Sequence, residues 1–319
     1  VSQATTDDAP RRRCGTTDVH VRLLEQDPDY RSARASIAQA RTAATARTAP
    51  GTEEVVRIPV VVHVVSPSPQ DVTDEQVAGQ VAVLNADFRA ANTDLDAVPE
   101  PFRPLVGDAR VEFVLATTAP DGSPSTGTTR TSTDVAEFTT DDAVKAAATG
   151  GADPWPVETH LNLWVCPLGG GLLGYAQFPG GPPATDGVVV NITAFGTTGT
   201  ASAPFDLGRT ATHEVGHYLD LFHLWGEFAA SCEDTDEVDD TPNQGGPNHG
   251  RPAFPHVSCD NGPDGDLFVD YMDYVDDAAM VMFTAGQVTR MRAALAGARA
   301  PLAAAGAGPS GSPATAGTP

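Results

Sequence analysis

The residues best equipped for chemistry form one stretch, His213-Glu214-Val215-Gly216-His217-Tyr218-Leu219-Asp220-Leu221-Phe222-His223. Positions four apart on a helix share a face one turn apart, so His213 and His217 can hold one ion between them. His223 stands ten residues beyond His213, too far along a straight helix to share that ion. The helix must therefore stop near Asp220, and the chain must turn back to deliver the third imidazole. Three neutral imidazoles leave an open position on a tetrahedral zinc, where a water loses its proton readily. Glu214 follows the first histidine directly and is placed to accept that proton. Residues of these types at this spacing point to hydrolysis.

The remaining pattern supplies elements to carry the motif. Arg57-Ile58-Pro59-Val60-Val61-Val62-His63-Val64-Val65 reads as a buried strand. Thr73 and Gln76 have capping-box spacing, and Val77, Val81, Leu84 and Phe88 recur at helical intervals behind them. Residues 110–115, 160–165 and 188–192 give further strands, and Tyr175-Ala176-Gln177-Phe178, between glycines and a proline, gives a short edge strand. The motif helix is expected to start near Asp206, followed by loop from about 226 to 280. Thr284 and Gln287 form a second capping box that opens a last helix through Val288, Met291 and Leu295. The first 50 residues are rich in Ala, Arg and Thr, with one short helical piece, and composition shifts at Ala49-Pro50-Gly51-Thr52. Both ends read as low complexity, and the Ala/Gly/Pro/Ser tail beyond Ala300 is expected to be disordered.

Composition sets the outer limits. The chain has 319 residues, enough for one catalytic domain of two lobes with flanking segments. Its 42 acidic against 19 basic residues argue against nucleic acid or an anionic membrane as partner. No apolar run is long enough to span a bilayer. No signal peptide is visible at Val1, and the expectation is that one preceded it. Of the four cysteines, Cys14 and Cys166 either pair with each other or are both free. His20, His63, His160, His249 and His256 lack ligand spacing and are expected to be structural or solvated.

The motif fits the metzincin signature H-E-x-x-H-x-x-G-x-x-H except at Asp220, where glycine is usual. That position needs a left-handed backbone, and Asp is among the residues that tolerate it best after glycine. Val269-Asp270-Tyr271-Met272-Asp273-Tyr274 resembles the metzincin Met-turn centred on Met272, and Tyr274 matches a tyrosine used near the metal. Further segments narrow the likeness: Arg13-Cys14-Gly15-Thr16, Leu161-Asn162-Leu163-Trp164-Val165-Cys166, the run from Gly169 to Pro179, the run from Cys232 to Pro242, and Phe283-Thr284-Ala285-Gly286-Gln287. From about Cys14 to Met291 the chain resembles the pappalysins, and within them the ulilysin-like secreted enzymes. Two departures stand out. A family cysteine pair is replaced at Gly245-Gly246-Pro247 and Ala279, and Asp270 stands where asparagine is common.

The resemblance implies an α+β, metzincin-type two-lobed catalytic domain: a twisted mixed sheet with a backing helix and the zinc helix, then an irregular C-terminal lobe. Residues 1–52 would be a prosegment, 53–300 the catalytic domain (53–223 upper lobe, 224–300 lower lobe), and 301–319 a disordered tail. It implies a secreted, monomeric zinc endopeptidase with Glu214 as general base and Tyr274 stabilising the oxyanion. Peptide substrates would lie along the edge strand Gly174, Tyr175, Ala176 and Gln177. It implies a Cys232–Cys259 disulfide and a structural calcium, for which Asp234, Asp236 and Asp240 are the candidate ligands. Asp276 or Asp277 is the candidate acidic floor of a pocket for basic side chains. Cys14 would hold the zinc in a latent form, released by cleavage between about Arg41 and Arg57; the rival is a Cys14–Cys166 bridge. A metal module without activity, or a hydrolase of non-peptide amides, are the competing functional readings.

Overall fold

A computed structural model describes residues 10–45, 54–227 and 231–306. The N-terminal segment forms two helices in contact, α1 (Thr16–Gln26) and α2 (Pro28–Thr45). There follow β1 (Val56–Ser66), α3 (Asp74–Asp87), β2 (Val111–Leu115), β3 (Thr128–Ser132), β4 (Leu161–Cys166), β5 (Gly174–Ala176) and β6 (Val188–Asn191). The motif helix α4 (Arg209–Tyr218), α5 (Ala285–Ala296) and α6 (Ala300–Ala305) complete the described α-helices and strands, which short 3-10 turns connect.

The sheet runs β2-β1-β4-β6-β5, parallel except for β5, which lies antiparallel on β6 at the edge. The length of β1 lets two strands share one flank: β2 pairs with Val56–Val60, and β3 with Val62–Ser66. Its continuous apolar run follows from burial on both faces, as parallel strands require. Val60, Val62 and Val64 point into the main core with α3 and α4. Val65, Trp164, Tyr175 and Val189 point the other way and join a second core with Val19, Leu23 and Tyr30 from the N-terminal helices. The N-terminal segment is thus a packed layer, not the low-complexity sequence expected from its composition.

Two further expectations need correction, and one strand was not expected. Thr73 does cap α3 through the Gln76 amide, but the Gln76 side chain reaches away to Phe195 O and Thr200 Oγ1 instead of closing the box. Strand β3 has no apolar alternation to betray it; its residues, Thr-Thr-Arg-Thr-Ser, are at most half-buried and owe their conformation to β1. Past Ala300 the chain continues as α6, whose Leu302 is buried and which packs against β1, so the body extends beyond the expected boundary. Residues 307–319 and the stretch 46–53 within the expected cleavage region lie outside the described residues.

Helix α4 is buried along its whole length. At its first turn, Arg209 donates to Asp87 at 2.7 Å and to both Asp94 oxygens at 3.0 Å, while Thr212 donates to Asp87 at 2.6 Å. These bonds lock α4 to α3. Asp277 accepts from Leu207 N and Arg209 N, satisfying amides that a helix start leaves bare.

Candidate active site

Helix α4 ends at Tyr218, and Asp220 takes φ +77°, the left-handed turn that returns the chain toward the helix. The Nε2 of His217 then lies 3.1 Å from that of His213 and 3.0 Å from that of His223. These are nitrogens aimed at one point, not hydrogen bonds. The opposite nitrogens explain the aim: His213 Nδ1 donates to Tyr271 O and His217 Nδ1 to Leu221 O, each at 2.7 Å, leaving the Nε2 lone pairs inward. Burial keeps all three neutral. It drives His217 down to about 4, and the neighbouring imidazoles push His213 and His223 lower as well.

A fourth donor comes from the far end of the sequence. The ligand atoms of Cys14, His213, His217 and His223 all lie within 4.8 Å of one another, and no other such group of three or more closes among the described residues. One thiol and three imidazoles in tetrahedral number are a donor set suited to zinc. Cys14 and Cys166 are both free: Cys166 is buried in β4 and is not brought to Cys14 as a bridge partner. A disulfide does join Cys232 to Cys259.

Glu214 turns toward the same centre. Its Oε2 accepts from Thr16 Oγ1 at 3.0 Å and faces Cys14 Sγ at 3.3 Å. Burial raises its carboxyl to about 8, and burial together with the nearby Glu214 charge raises the Cys14 thiol. Two glycines make the approach possible. A Cβ on Gly174 would lie 2.8 Å from Glu214 Cγ, and one on Gly216 would lie 2.5 Å from Met272 Sδ. Met272 therefore sits directly against the motif helix, and Gly216 is there to admit its sulfur. Tyr274 packs its ring against His213 and His223, at 5.7 and 5.0 Å between centroids, and its phenol meets the Cys14 backbone. Trp225 stacks on His223 at 4.6 Å, a contact that no spacing rule marks.

Strand β5 presents its free edge to the N-terminal segment. Gly15 N donates to Gly174 O, Leu173 N to Arg13 O, and Ala176 N to Thr16 Oγ1, with Cys14 paired parallel to Gly174. Of the edge residues, Gly174, Tyr175 and Ala176 form the strand. Gln177 lies just beyond it, fully buried, its amide bonding Pro182 O and the Thr185 hydroxyl, so its side chain faces inward. Two residues before Cys14, the buried Arg12 fills a pocket: it donates to Val275 O, Thr210 Oγ1 and, at 2.5 Å, Asp277 Oδ1, over the ring of Phe205. Of the two candidate floor residues, Asp277 meets the guanidinium. Asp276 is half-buried and pairs at 3.8 Å with Arg251. Arg12 precedes the segment Arg13-Cys14-Gly15-Thr16 and Thr16 ends it, and neither residue type nor spacing marks either one for its role.

Asp234, Asp236 and Asp240 are not gathered around a point. Asp240 accepts from Thr284 Oγ1 and Gly286 N at the start of α5, Asp236 Oδ1 closes its own turn through Val238 N and Thr241 Oγ1, and Asp234 accepts from Thr235 N. Three oxygens here are bare: Asp236 Oδ2, Asp270 Oδ2 and Gln244 Oε1 are buried without a hydrogen-bond partner.

Known proteins resemble this chain over most of its length. Residues 153–296 match the peptidase M43 family described as Pregnancy-associated plasma protein-A. An extracellular metalloprotease of Pyricularia oryzae is 31% identical over 300 residues, 90% of this chain and 90% of its own. A Tannerella forsythia promirolysin mutant is 42% identical with a TM-score of 0.84, over 92% of this chain and 97% of that one. Tannerella forsythia mature mirolysin in complex with a cleaved peptide is 49% identical with a TM-score of 0.74, over 76% of this chain and 92% of that one.

Proposed function

Because this chain belongs to the pappalysin family of metzincin metalloendopeptidases, we propose that it is a secreted, monomeric enzyme made as a zymogen and selective for arginine near the scissile bond. The convergence of three Nε2 atoms beside Glu214 carries the reading. Bound by His213, His217 and His223, zinc supplies Lewis acidity to a water and to the scissile carbonyl. Glu214 takes the proton of the attacking water and returns it to the leaving amine. Tyr274 donates its phenol to the oxyanion, and the β5 edge aligns an extended peptide by backbone hydrogen bonds.

Latency is supported by what Cys14 and its neighbours cover. The thiol stands among the imidazoles, Thr16 holds the carboxylate of Glu214, and the Cys14 backbone holds the phenol of Tyr274. A metal there would also draw the thiol to its thiolate. The promirolysin relative spans 92% of this chain and the mature one 76%, a difference of about 50 residues, close to the length of the segment before Glu53. The arginine preference rests on Arg12, which occupies the Asp277 pocket as a substrate side chain would. Secretion is favoured by the relatives' extracellular naming and by the disulfide; no described helix is long and apolar enough to cross a membrane. Calcium is supported between Asp236 of the acidic loop and Asp270 beside the Met-turn, since each buries a bare oxygen and the charge of Asp236 adds to burial in raising Asp270. A cation between them would relieve both.

The deciding experiment incubates the processed enzyme with casein and with two peptides that differ by one Arg→Ala change. Cleavage that a chelator abolishes and zinc restores is expected, with the arginine peptide preferred. Zinc binding without any cleavage would return the chain to an inactive metal module. Equal turnover of the two peptides would remove the arginine pocket from the reading.

A further inference from the structure

Asp220 combines three oddities. It replaces the usual glycine of the motif, it holds a left-handed φ of +77°, and its carboxylate is buried. A strained residue in a costly environment signals a use for its side chain. Burial alone would raise its carboxyl, yet Arg34, Arg290 and Arg41 hold it below the ordinary range. Arg290 belongs to α5 of the catalytic body and also donates to the Asp220 carbonyl. The other two come from α2. Arg34 donates to Asp220 Oδ1 at 2.6 Å and Arg41 to Oδ2 at 2.9 Å, and Arg41 also pairs with Glu237. The three guanidiniums lie over Phe178 and Phe222, next to His217.

The rest of this helix is thinly buried: Tyr30 meets His20 in the second core, and Arg34 also donates to Pro179 O. Among the described side chains of α2, only Tyr30, in the first turn, and Arg34 are buried. Grooves of about 620 and 240 Å³ run beside it where it crosses α5. The charge distribution agrees: residues 1–52 carry eight of the chain's 19 basic residues but only six of its 42 acidic ones.

We propose that Asp220, with Glu237, forms a guanidinium-binding site outside the catalytic cleft, and that Arg34 and Arg41 fill it as a second latch on the prosegment. The inference rests on the zymogen reading. The Cys14 end blocks the chemistry, while the Asp220 end holds α2 against the turn between two metal ligands. Once the segment leaves, Arg290 stays beside Asp220 and the turn keeps a partner. Because charge holds the second latch, salt should loosen it by screening its less buried contacts.

The test uses the full chain. Arg34→Gln/Arg41→Gln should mature on the order of ten times faster than the parent at low salt, where screening is weak. The parent should speed up as salt rises, and the double variant should not. Asp220→Gly, which suits the turn, should reproduce the double variant, and combining the two should add nothing. In a Glu214→Gln background that cannot process itself, hydrogen exchange across residues 28–41 should rise in both variants while α4 stays protected. The double variant maturing at the parental rate with the parental salt response would overturn the latch, as would unchanged exchange in α2. Cys14→Ala separates the two ideas. If it matures no faster than the parent, the cysteine switch fails, whatever the arginine variants do.

Discussion

Two stretches of this chain place potential metal ligands at close spacing, and they behave oppositely. His213, His217 and His223 span eleven residues and bring their Nε2 atoms within about one contact distance. Asp234, Asp236 and Asp240 span seven, and their carboxylates go three separate ways. The difference lies in the backbone. Helix α4 converts a spacing of four into a direction, and the left-handed turn at Asp220 fixes the rest. The acidic loop has no repeating geometry, so each carboxylate bonds what lies nearest: a neighbouring amide for Asp234, its own turn for Asp236 and the start of α5 for Asp240. Sequence spacing reads as chemistry only where a regular element translates it.

The largest expected effect tests the helical half of that contrast. Glu214→Gln keeps shape and burial but removes the base, so turnover of an arginine peptide should fall by about 10²–10⁴-fold with zinc still bound. Metal analysis beside the peptide assay reads both quantities. A fully active variant would mean that position on the helix had not defined a role.

The same logic explains how much was legible. Strands β1, β4 and β6 and the helices α3, α4 and α5 were readable because their apolar periods agree with their burial. The histidines and Glu214 were readable because a helix carries them, whereas Met272 and Tyr274 were marked only by resemblance to the metzincin Met-turn. Strand β3 and the Arg12 pocket were not, since each is defined by partners 60 to 260 residues away. Composition misled at both ends, where otherwise polar or small sequence still buries four residues from α1, Tyr30 and Arg34 from α2, and Leu302 from α6.

A second prediction separates burial from ligand function. Burial lowers His63 to about 4, as low as His217, yet its nitrogens meet Thr129 and Asn162 rather than a metal centre. A depressed pKa therefore marks burial, and convergence marks a ligand. For a histidine with a folded pKa below its unfolded value of about 6.5, the unfolded chain binds the proton first. Stability is then full above about pH 6.5 and lost as pH falls toward 4, by about 3 kcal/mol for this shift. Denaturant melts of parent and His63→Gln across that window should diverge by this amount. Parallel curves would mean His63 titrates normally in the fold.

Calcium tests the loop half directly. If Asp236 and Asp270 hold the ion, calcium at about a hundred times its dissociation constant should add about 2.7 kcal/mol to the native state. Thermal melts with zinc kept saturated should show the shift in the parent and in Asp234→Asn. The shift should vanish in Asp236→Asn and in Asp270→Asn. Loss in Asp234→Asn instead would restore the acidic run as the site.

The smallest effect is expected at Asp240, and it bears most closely on the contrast. Its Oδ1 accepts from Thr284 Oγ1 at 2.6 Å and its Oδ2 from Gly286 N at 2.8 Å, where a Cβ on Gly286 would be in the way. It acts as a capping carboxylate supplied from a distant loop to the positive end of α5. The helix already closes a full capping box between Thr284 and Gln287. Asp240→Ala should therefore cost only about 1 kcal/mol, within the usual range for losing a cap. Urea midpoints should drop accordingly, and the calcium-induced shift should stay at its parental size. A variant that kept its stability but lost its calcium response would show Asp240 to be a ligand after all, and spacing within an irregular loop would then carry as much chemical information as spacing along a helix.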